Sequence, residues 1–558
     1  MSRPRTYQPP MFDPAVDLDL SRNEGRARAA ELIAAVAEPD RAVSRYPDTS
    51  EVRSRLAAIH GLDPEQILVT AGGDDALNRC FLALLEARSK AITTYPTFEM
   101  ISRYAEQRDV DLIEVPWWTG ALPIDELIDA SSVDDFGAVF VVSPNNPTGA
   151  AITGSDLKRL AAGFRYVVLD AAYGEFGDED LTPLALEQEN VLVIRTLSKA
   201  YGLAGLRVGY LLGTPELVTR VGAFGSPYPV AALSATIAAT RLSQPAAETI
   251  GFVDTVRSER DRLAESLTSL GARPFPSQAN FVLAEVADAA WLMTAARSLG
   301  VALRRFNDRP GMEDMVRITL PGDEIDFDRL IATLEAVLAP QALIFDLDGV
   351  LADVSLSQTV AAIETARHFG VEISTTDIEA AKAEGNSNDD WAMTRDLCLA
   401  RGVEVTLEAA TERFEALYQG TTGAPGLKEA ERALVDNDSW RRWAKRLPVA
   451  VVTGRPRTDA VEFLSRFDLL DEVTALVTKD DAPLKPDPAP VRLALERLGV
   501  SRAWMLGDTP DDLAAARGAG VVPIGVIAPG DDPIRARATL GHAARVLEQT
   551  TDLEALLP

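Results

Sequence analysis

Short apolar runs punctuate the chain, and helical text separates them. In the first half the runs are Ile67–Thr70, Ala91–Tyr95, Leu112–Val115, Ala138–Ser143, Val167–Asp170 and Val191–Arg195. Stretches of helical period, such as Asp75–Leu85 and Ser155–Ala162, lie between them. Apolar runs too short to be helices, alternating with amphipathic segments, predict a mostly parallel sheet covered by helices on both faces. A helical stretch from about Ala231 to Leu270 and a smaller mixed segment, about Arg273 to Leu338, close this half. A second series begins at Ala342–Asp346 and continues with Val449–Thr453, Ala475–Val477, Ala503–Leu506 and Val521–Ile527. Between its first two strands, about 355–446, the text is helical and strand-poor, which reads as an insertion after the first strand of a second parallel sheet. Pro340 stops the last helix of the first half, so the expected boundary falls between residues 340 and 341.

Composition narrows the function. The chain has 558 residues, 47% hydrophobic and 25% charged, the balance of a globular protein with sizeable cores. Its 84 acidic residues exceed its 55 lysines and arginines, a formal charge of −29. So acidic a body repels phosphate backbones and anionic lipid, so neither nucleic acid nor a membrane surface is an expected partner. No run of about 18 apolar residues appears, and Met1–Pro10 lacks the apolar core of a signal peptide. Two cysteines, Cys80 and Cys398, give no disulfide framework, and a reducing, cytoplasmic setting is expected. Three histidines (His60, His368 and His542) exclude a clustered-histidine metal site.

Four strand ends in the first half carry candidate chemistry. Arg195-Thr-Leu-Ser-Lys199 leads into a glycine-rich turn with Arg207. A lysine at such a position, inside a pocket, can lose its proton and condense with an aldehyde, while Thr196, Ser198 and Arg207 suit a phosphate ester. Asp170 ends an apolar strand, where a carboxylate is costly to bury without a cation, for which a pyridinium nitrogen would serve. Ser143-Pro-Asn-Asn-Pro-Thr-Gly149 presents Asn146, and Thr70-Ala-Gly-Gly-Asp-Asp-Ala76 steps into a helix whose free amides would receive phosphate. Singly, each is as well read as a capped turn or a surface lysine. Together, at the ends of successive strands, they converge on one site.

This run, about Asp17 to Leu338, resembles the fold-type I pyridoxal-phosphate aminotransferases, in their histidinol-phosphate aminotransferase branch. The resemblance implies pyridoxal 5'-phosphate joined to Lys199, with Asp170 on the ring nitrogen, Asn146 and Tyr173 on the phenolic oxygen, and Phe98 stacked on the ring. It implies a phosphate cup of Gly73, Asp74, Asp75, Thr196, Ser198 and Arg207. Tyr46 matches a tyrosine that reaches the phosphate of a neighbouring subunit, which implies a homodimer. Arg304 and Arg317 match the arginines for the substrate's anionic end, and Asn23 and Asn280 are expected near the substrate. Ala171 stands where the family usually has Glu, and Phe98 where Tyr is common.

In the second half, Ala342-Leu-Ile-Phe-Asp-Leu-Asp-Gly-Val350 sets two aspartates two residues apart after an apolar strand. Val451-Val-Thr-Gly454, Lys485-Pro-Asp-Pro488 and Leu506-Gly-Asp-Thr-Pro-Asp-Asp512 follow. Carboxylates gathered at strand ends repel one another unless a hard cation such as magnesium holds them. Residues 341 to about 548 resemble the haloacid-dehalogenase superfamily of phosphatases, with the helical insertion as its cap. That resemblance implies Asp346 as nucleophile and Asp348 as acid and then base. It implies Thr453 and Lys485 on the phosphoryl group. Magnesium would be held by Asp346, the carbonyl of Asp348, Asp508 and Asp512. Arg455 reads as a phosphate contact or a solvent-facing residue. The polar cap segment Gly385–Trp391 reads either the leaving group or a helix cap with Trp391 packed inside.

The fold class expected is α/β: a transferase fold with a large domain (about 40–250) and a small domain (the N-terminal segment with about 251–338), then a Rossmann-like core (341–354 and 447–558) with its cap. The function expected is a bifunctional enzyme of histidine synthesis that makes histidinol phosphate from imidazole-acetol phosphate and glutamate and then removes phosphate. An aminotransferase for another phosphorylated or aromatic substrate beside a phosphoglycolate-type phosphatase stays open. A non-catalytic ligand sensor is disfavoured by Lys199, Asp346 and Asp348.

Overall fold

The computed structural model describes residues 15–26, 29–34, 36, 43–131, 136–385 and 389–557. Residues Asn386, Ser387 and Asn388 of the cap segment lie outside them. The chain divides into two compact units. One holds Asp19–Ala289 and Leu303–Arg329, and the other Ala290–Ala302 and Leu330–Pro558.

The first unit is built on seven strands: β1 (Ile67–Thr70), β2 (Lys90–Tyr95), β3 (Asp111–Pro116), β4 (Phe136–Val142), β5 (Val167–Asp170), β6 (Val191–Thr196) and β7 (Gly209–Leu212). Their order is β1-β7-β6-β5-β4-β2-β3, and β7 alone runs against its neighbours. Alternation along the central strands splits the core between the faces. Val139, Val141, Val167 and Leu169 pack on one side, and Phe140, Val142 and Val168 on the other. Both faces are dry, which is why the strands read as unbroken apolar runs. The expected helical stretch is two helices, Ala232–Ser243 and Ala246–Ser269, interrupted at Pro245. A four-stranded antiparallel sheet, whose longest members are β8 (Phe281–Glu285) and β9 (Met315–Thr319), completes the unit.

The second unit has six parallel strands: β10 (Ala342–Phe345), β11 (Val449–Val452), β12 (Val473–Val477), β13 (Ala503–Gly507), β14 (Val522–Val526) and β15 (Val546–Leu547). Their order, β12-β11-β10-β13-β14-β15, reverses direction between β10 and β13. Loops leaving the carboxyl ends of β10 and β13 therefore diverge and open a crevice there. Four helices form the cap around their own apolar cluster: α1 (Gln358–His368), α2 (Thr375–Glu384), α3 (Asp390–Ala400) and α4 (Leu407–Tyr418).

Two expected boundaries move. The helix Asn437–Arg446, expected in the cap, belongs to the core: Trp440 and Trp443 pack on Phe345 of β10, with ring centroids at 5.1 and 5.9 Å. Residues 290–302 and 330–338, expected in the small domain of the first half, group with the second unit. Trp291 meets Trp504 edge to face at 4.8 Å, and the Trp504 indole donates to the Ala336 carbonyl at 2.9 Å. Large aromatic area outweighs a sequence boundary marked only by a proline. No described helix is long and apolar enough to cross a membrane.

Trp440 is fully buried, and its indole donates to the Leu469 carbonyl at 2.9 Å. Trp440→Ala is expected to cost about 3–5 kcal/mol through the lost contacts and the cavity left. Urea unfolding followed by loss of ester hydrolysis should show a correspondingly lower midpoint.

Candidate active sites

In the first unit the carboxyl ends of β1, β2, β4, β5 and β6 surround a cavity of about 380 Å³. Asp170 closes β5 and is buried. It accepts a hydrogen bond from the Ala172 amide at 3.1 Å. Burial pushes its carboxyl up to about 7 against that bond. Lys199, just past β6, projects into the cavity. Its Nζ donates to the Arg22 carbonyl at 3.3 Å and lies 5.6 Å from the Tyr173 ring. Burial, with the Arg317 guanidinium behind it, lowers the Lys199 amine to about 8. The site thus contains an amine readily deprotonated near neutrality and a carboxylate short of a cation.

The N-terminal segment and β9 supply the opposite wall. Asn23, at φ +55°, donates from Nδ2 to the Tyr173 hydroxyl at 3.0 Å and accepts from Thr319 at 2.9 Å. Asn280 donates to the Asn23 carbonyl at 3.3 Å, so it positions Asn23 and does not itself line the cavity. Arg317 is buried, donates to Asn146 Oδ1 at 2.6 Å and to the Ser21 carbonyl at 2.8 Å, and is lowered by burial to about 10. Arg304 and Phe98 also line the space.

At the foot of the cavity, Thr196 and Ser198 share a hydrogen bond of 2.9 Å, and Arg207 reaches Asp74 at 3.1 Å. Gly72 has φ +82°, and a Cβ there would stand 2.7 Å from Arg207 Nη2, so glycine is required for the arginine to cross the helix start. A hydroxyl pair, a guanidinium and Gly73 at a helix N-terminus make a cradle for a phosphate.

Two expected residues lie elsewhere. Asp75 turns away and forms a two-pronged pair with buried Arg79 at 2.9 and 2.8 Å, also accepting from the Ala71 amide, so it is not part of the cup. Its i,i+4 partner on the same helix face explains the choice. Tyr46 is 81% exposed and stacks on Tyr228 at 4.6 Å, outside its own cavity. Sequence reading missed Arg309, which enters the cavity and holds Glu99 at 3.2 Å and the Thr97 carbonyl at 2.8 Å. Nothing local to Arg309 distinguishes it from a surface arginine.

In the second unit, Asp346 follows β10 and Asp508 follows β13, at the crevice that the strand order creates. Oxygens of Asp346, Asp508 and Asp512 lie within 4.8 Å of one another, a spacing that suits a hard divalent cation. Lys485 bridges two of them, 2.7 Å from Asp346 and 2.5 Å from Asp512. Burial pushes Asp346 up to about 7 despite Lys485, and burial and neighbouring carboxylates push Asp508 far above its ordinary value. Gly349, at φ +74°, passes so close that a Cβ would collide with the Asp508 carboxylate. Thr453 follows β11 and is buried.

Asp348 faces another partner. The Arg455 guanidinium donates to its Oδ1 from Nε at 2.8 Å and from Nη2 at 2.5 Å. Burial alone would raise the Asp348 carboxyl, but the guanidinium outweighs it and holds it below the usual carboxylate range. Its side chain is therefore committed to Arg455 and stands apart from the three-carboxylate cluster. Arg455 is buried, not solvent-facing; its Nη1 donates to the Tyr418 hydroxyl at 2.9 Å and to Glu431 at 3.1 Å, and Nη2 also donates to Glu431 at 3.1 Å. A planar donor fork among two carboxylates is what a buried guanidinium requires. The same cleft takes in Lys382, Asp389, Asp390 and Trp391 from the cap, which sequence reading left undecided or missed.

A lysine of lowered pKa in one cavity with a buried carboxylate suits amine–carbonyl chemistry, and carboxylates clustered around a lysine suit metal-assisted hydrolysis. Comparison with known proteins fixes the families. Residues 17–334 match the aminotransferase class I and II family, to which the chain belongs, and residues 340–520 match the haloacid dehalogenase-like hydrolases. Among relatives, a histidinol-phosphate aminotransferase of Xanthomonas euvesicatoria pv. vesicatoria (strain 85-10) is 36% identical over 313 residues, 54% of this chain and 86% of that one. An imidazoleglycerol-phosphate dehydratase of Phytophthora nicotianae is 43% identical over 218 residues, 38% of this chain, which spans 46% of that protein. The fold is also that of the histidinol-phosphate aminotransferase of Sinorhizobium meliloti, solved in complex with pyridoxal-5'-phosphate, with TM-score 0.53 and 23% identity over 58% of this chain and 91% of that one.

The raised Asp170 yields a pH prediction. An acid raised on folding contributes stability that is complete below its unfolded value of 3.8 and is lost as the pH climbs to about 7. Between pH 5 and 7.5 the ligand-free protein should lose stability that Asp170→Asn does not lose. Urea midpoints of the two proteins across that range will show the difference, and parallel profiles would refute it.

Proposed function

We propose that the chain is a bifunctional enzyme that aminates imidazole-acetol phosphate with glutamate and hydrolyses a phosphate monoester, histidinol phosphate. The observation that carries the first activity is the Asp170–Lys199 pair at the head of a cavity with a phosphate cradle at its foot. Pyridoxal phosphate bound there supplies an electron-accepting ring. Asp170 is the anion for its ring nitrogen, and the bound cation in turn relieves the cost of burying that carboxylate. Asn146 and Tyr173 would hold the phenolic oxygen, Phe98 would pack on the ring, and Gly73, Asp74, Thr196, Ser198 and Arg207 would hold the phosphate. Lys199 carries the proton to and from the substrate carbon. Arg304 and Arg317 receive the anionic end of donor and acceptor in turn. The working form is a homodimer in a reducing, cytoplasmic setting, with exposed Tyr46 reaching the partner's phosphate site.

In the second unit Asp346 is the nucleophile. One of its oxygens bonds to phosphorus while the ester oxygen departs as an alcohol, taking its proton from Asp348. Water then adds to phosphorus, gives its proton to Asp348 and releases phosphate from Asp346. Because Arg455 keeps Asp348 ionised, the guanidinium must loosen before Asp348 can serve as the acid. Thr453 and Lys485 orient the phosphoryl oxygens. Magnesium held by Asp346, Asp508 and Asp512, with the Asp348 carbonyl, would neutralise the charge gathered there. The names of the relatives, both for phosphorylated compounds of this kind, support the substrate.

Incubation with imidazole-acetol phosphate, glutamate and magnesium tests both halves. Lys199→Ala should slow amination by roughly 100- to 10,000-fold and leave phosphate release from added histidinol phosphate intact. Asp346→Asn should do the reverse. Product analysis by chromatography and phosphate assay decides, and loss of both activities in either folded variant would contradict two separate sites.

A further inference from the structure

The phosphatase cleft is not uniform in charge. Its floor carries Asp346, Asp348 and Asp508, with the cations Lys382, Lys485 and Arg455 at or beside them. Another part of its lining is different, a wall made of Trp391 with Asp389, Glu415, Asp459 and Lys479. The indole is fixed by donation from Nε1 to Glu415 Oε1 at 3.1 Å. One face of the ring carries the Lys479 ammonium, 3.5 Å from its centroid.

The carboxylates of this wall are held by neutral donors. Asp389 accepts from the amides of Trp391 and Ala392, both at 3.0 Å. Asp459 accepts from the Gln419 side-chain amide at 3.2 Å, and Glu415 from the indole. Such bonds orient a carboxylate and leave its charge. Lys479 is the cation that faces all three, and Asp480 faces it as well. Four negative charges around one ammonium leave a negative potential, and the Trp391 ring beside them already accepts a cation.

We propose that this wall is a receptor for a cationic leaving group: the substrate is a phosphate monoester whose alcohol carries a protonated amine or imidazolium, seated against Trp391 among Asp389, Glu415 and Asp459. The inference rests on the reading of the second unit as a magnesium-dependent phosphatase and adds the charge of its substrate. With magnesium bound, the carboxylates at the phosphoryl end would be balanced by it and by Lys382, Lys485 and Arg455, while the alcohol end keeps a net negative charge. An ester with a carboxylate in its alcohol part meets repulsion from the same wall.

The test compares kcat/KM, with magnesium, for histidinol phosphate and O-phosphoethanolamine against phosphoglycolate, with p-nitrophenyl phosphate as an uncharged reference. The wild type should favour the cationic esters over the anionic one by about 10-fold or more. Glu415→Gln should lower that preference, and Lys479→Met should raise it, each by about 3- to 30-fold. Shifts of opposite sign cannot come from damaged folding. A preference near one, or both variants moving it the same way, overturns the inference while the phosphatase stands. If no ester is hydrolysed, p-nitrophenyl phosphate included, the phosphatase reading falls and this inference with it.

Discussion

The cost of burying a carboxylate at the end of a parallel strand shapes both halves of this chain. β5 and β10 are dry on both faces, and each delivers an aspartate to its carboxyl edge, Asp170 and Asp346. Each is pushed to about 7 by burial. The two halves answer that cost differently. Asp346 has Lys485 at 2.7 Å, so its charge is matched within the protein. Asp170 accepts from a backbone amide, and among the described residues the cation that attracts it is Lys199. A cationic group from outside would relieve the cost at the first site, and the second holds its carboxylates close enough together to suit one.

That difference accounts for how the surroundings are built. Around Asp170 the chain brings segments from far apart in sequence: Asn23 and Ser21, Asn146, Tyr173 and Arg317, joined by hydrogen bonds of 2.6–3.0 Å. The result is a rigid cup with one open end of charge. Around Asp346 the walls come from core loops and from the cap. Arg455 ties the two together, because its fork spans Asp348 of the core loop and Glu431 and Tyr418 at the end of the cap.

Much of this was legible in the sequence because parallel strands leave a plain apolar signature and their ends carry the chemistry. Ile67–Thr70 and Val167–Asp170 fall where their runs begin and end. β7, Gly209–Leu212, did not show, because it is short and follows a glycine-rich turn that reads as loop. Tertiary pairing decided the rest. Asp75 and Asp74 are alike in sequence, yet a buried Arg79 one turn on claims the first. Arg455 looked like a phosphate contact or a surface group until Glu431 and Tyr418 arrived from a segment folded over it. Trp440, Trp443 and Trp291 set the borders of the cap and of the second unit through contacts with Phe345 and Trp504 that no local pattern announces.

The claim on which the account turns is that the open charge beside Asp170 is filled by a cofactor joined to the amine of Lys199. Borohydride reduction of the purified chain with pyridoxal phosphate, followed by peptide mapping by mass spectrometry, tests it directly. The account requires the pyridoxyl group on the peptide containing Lys199, and little or none in an Asp170→Ala variant. Label spread over surface lysines, with residue 199 unmodified, would contradict it.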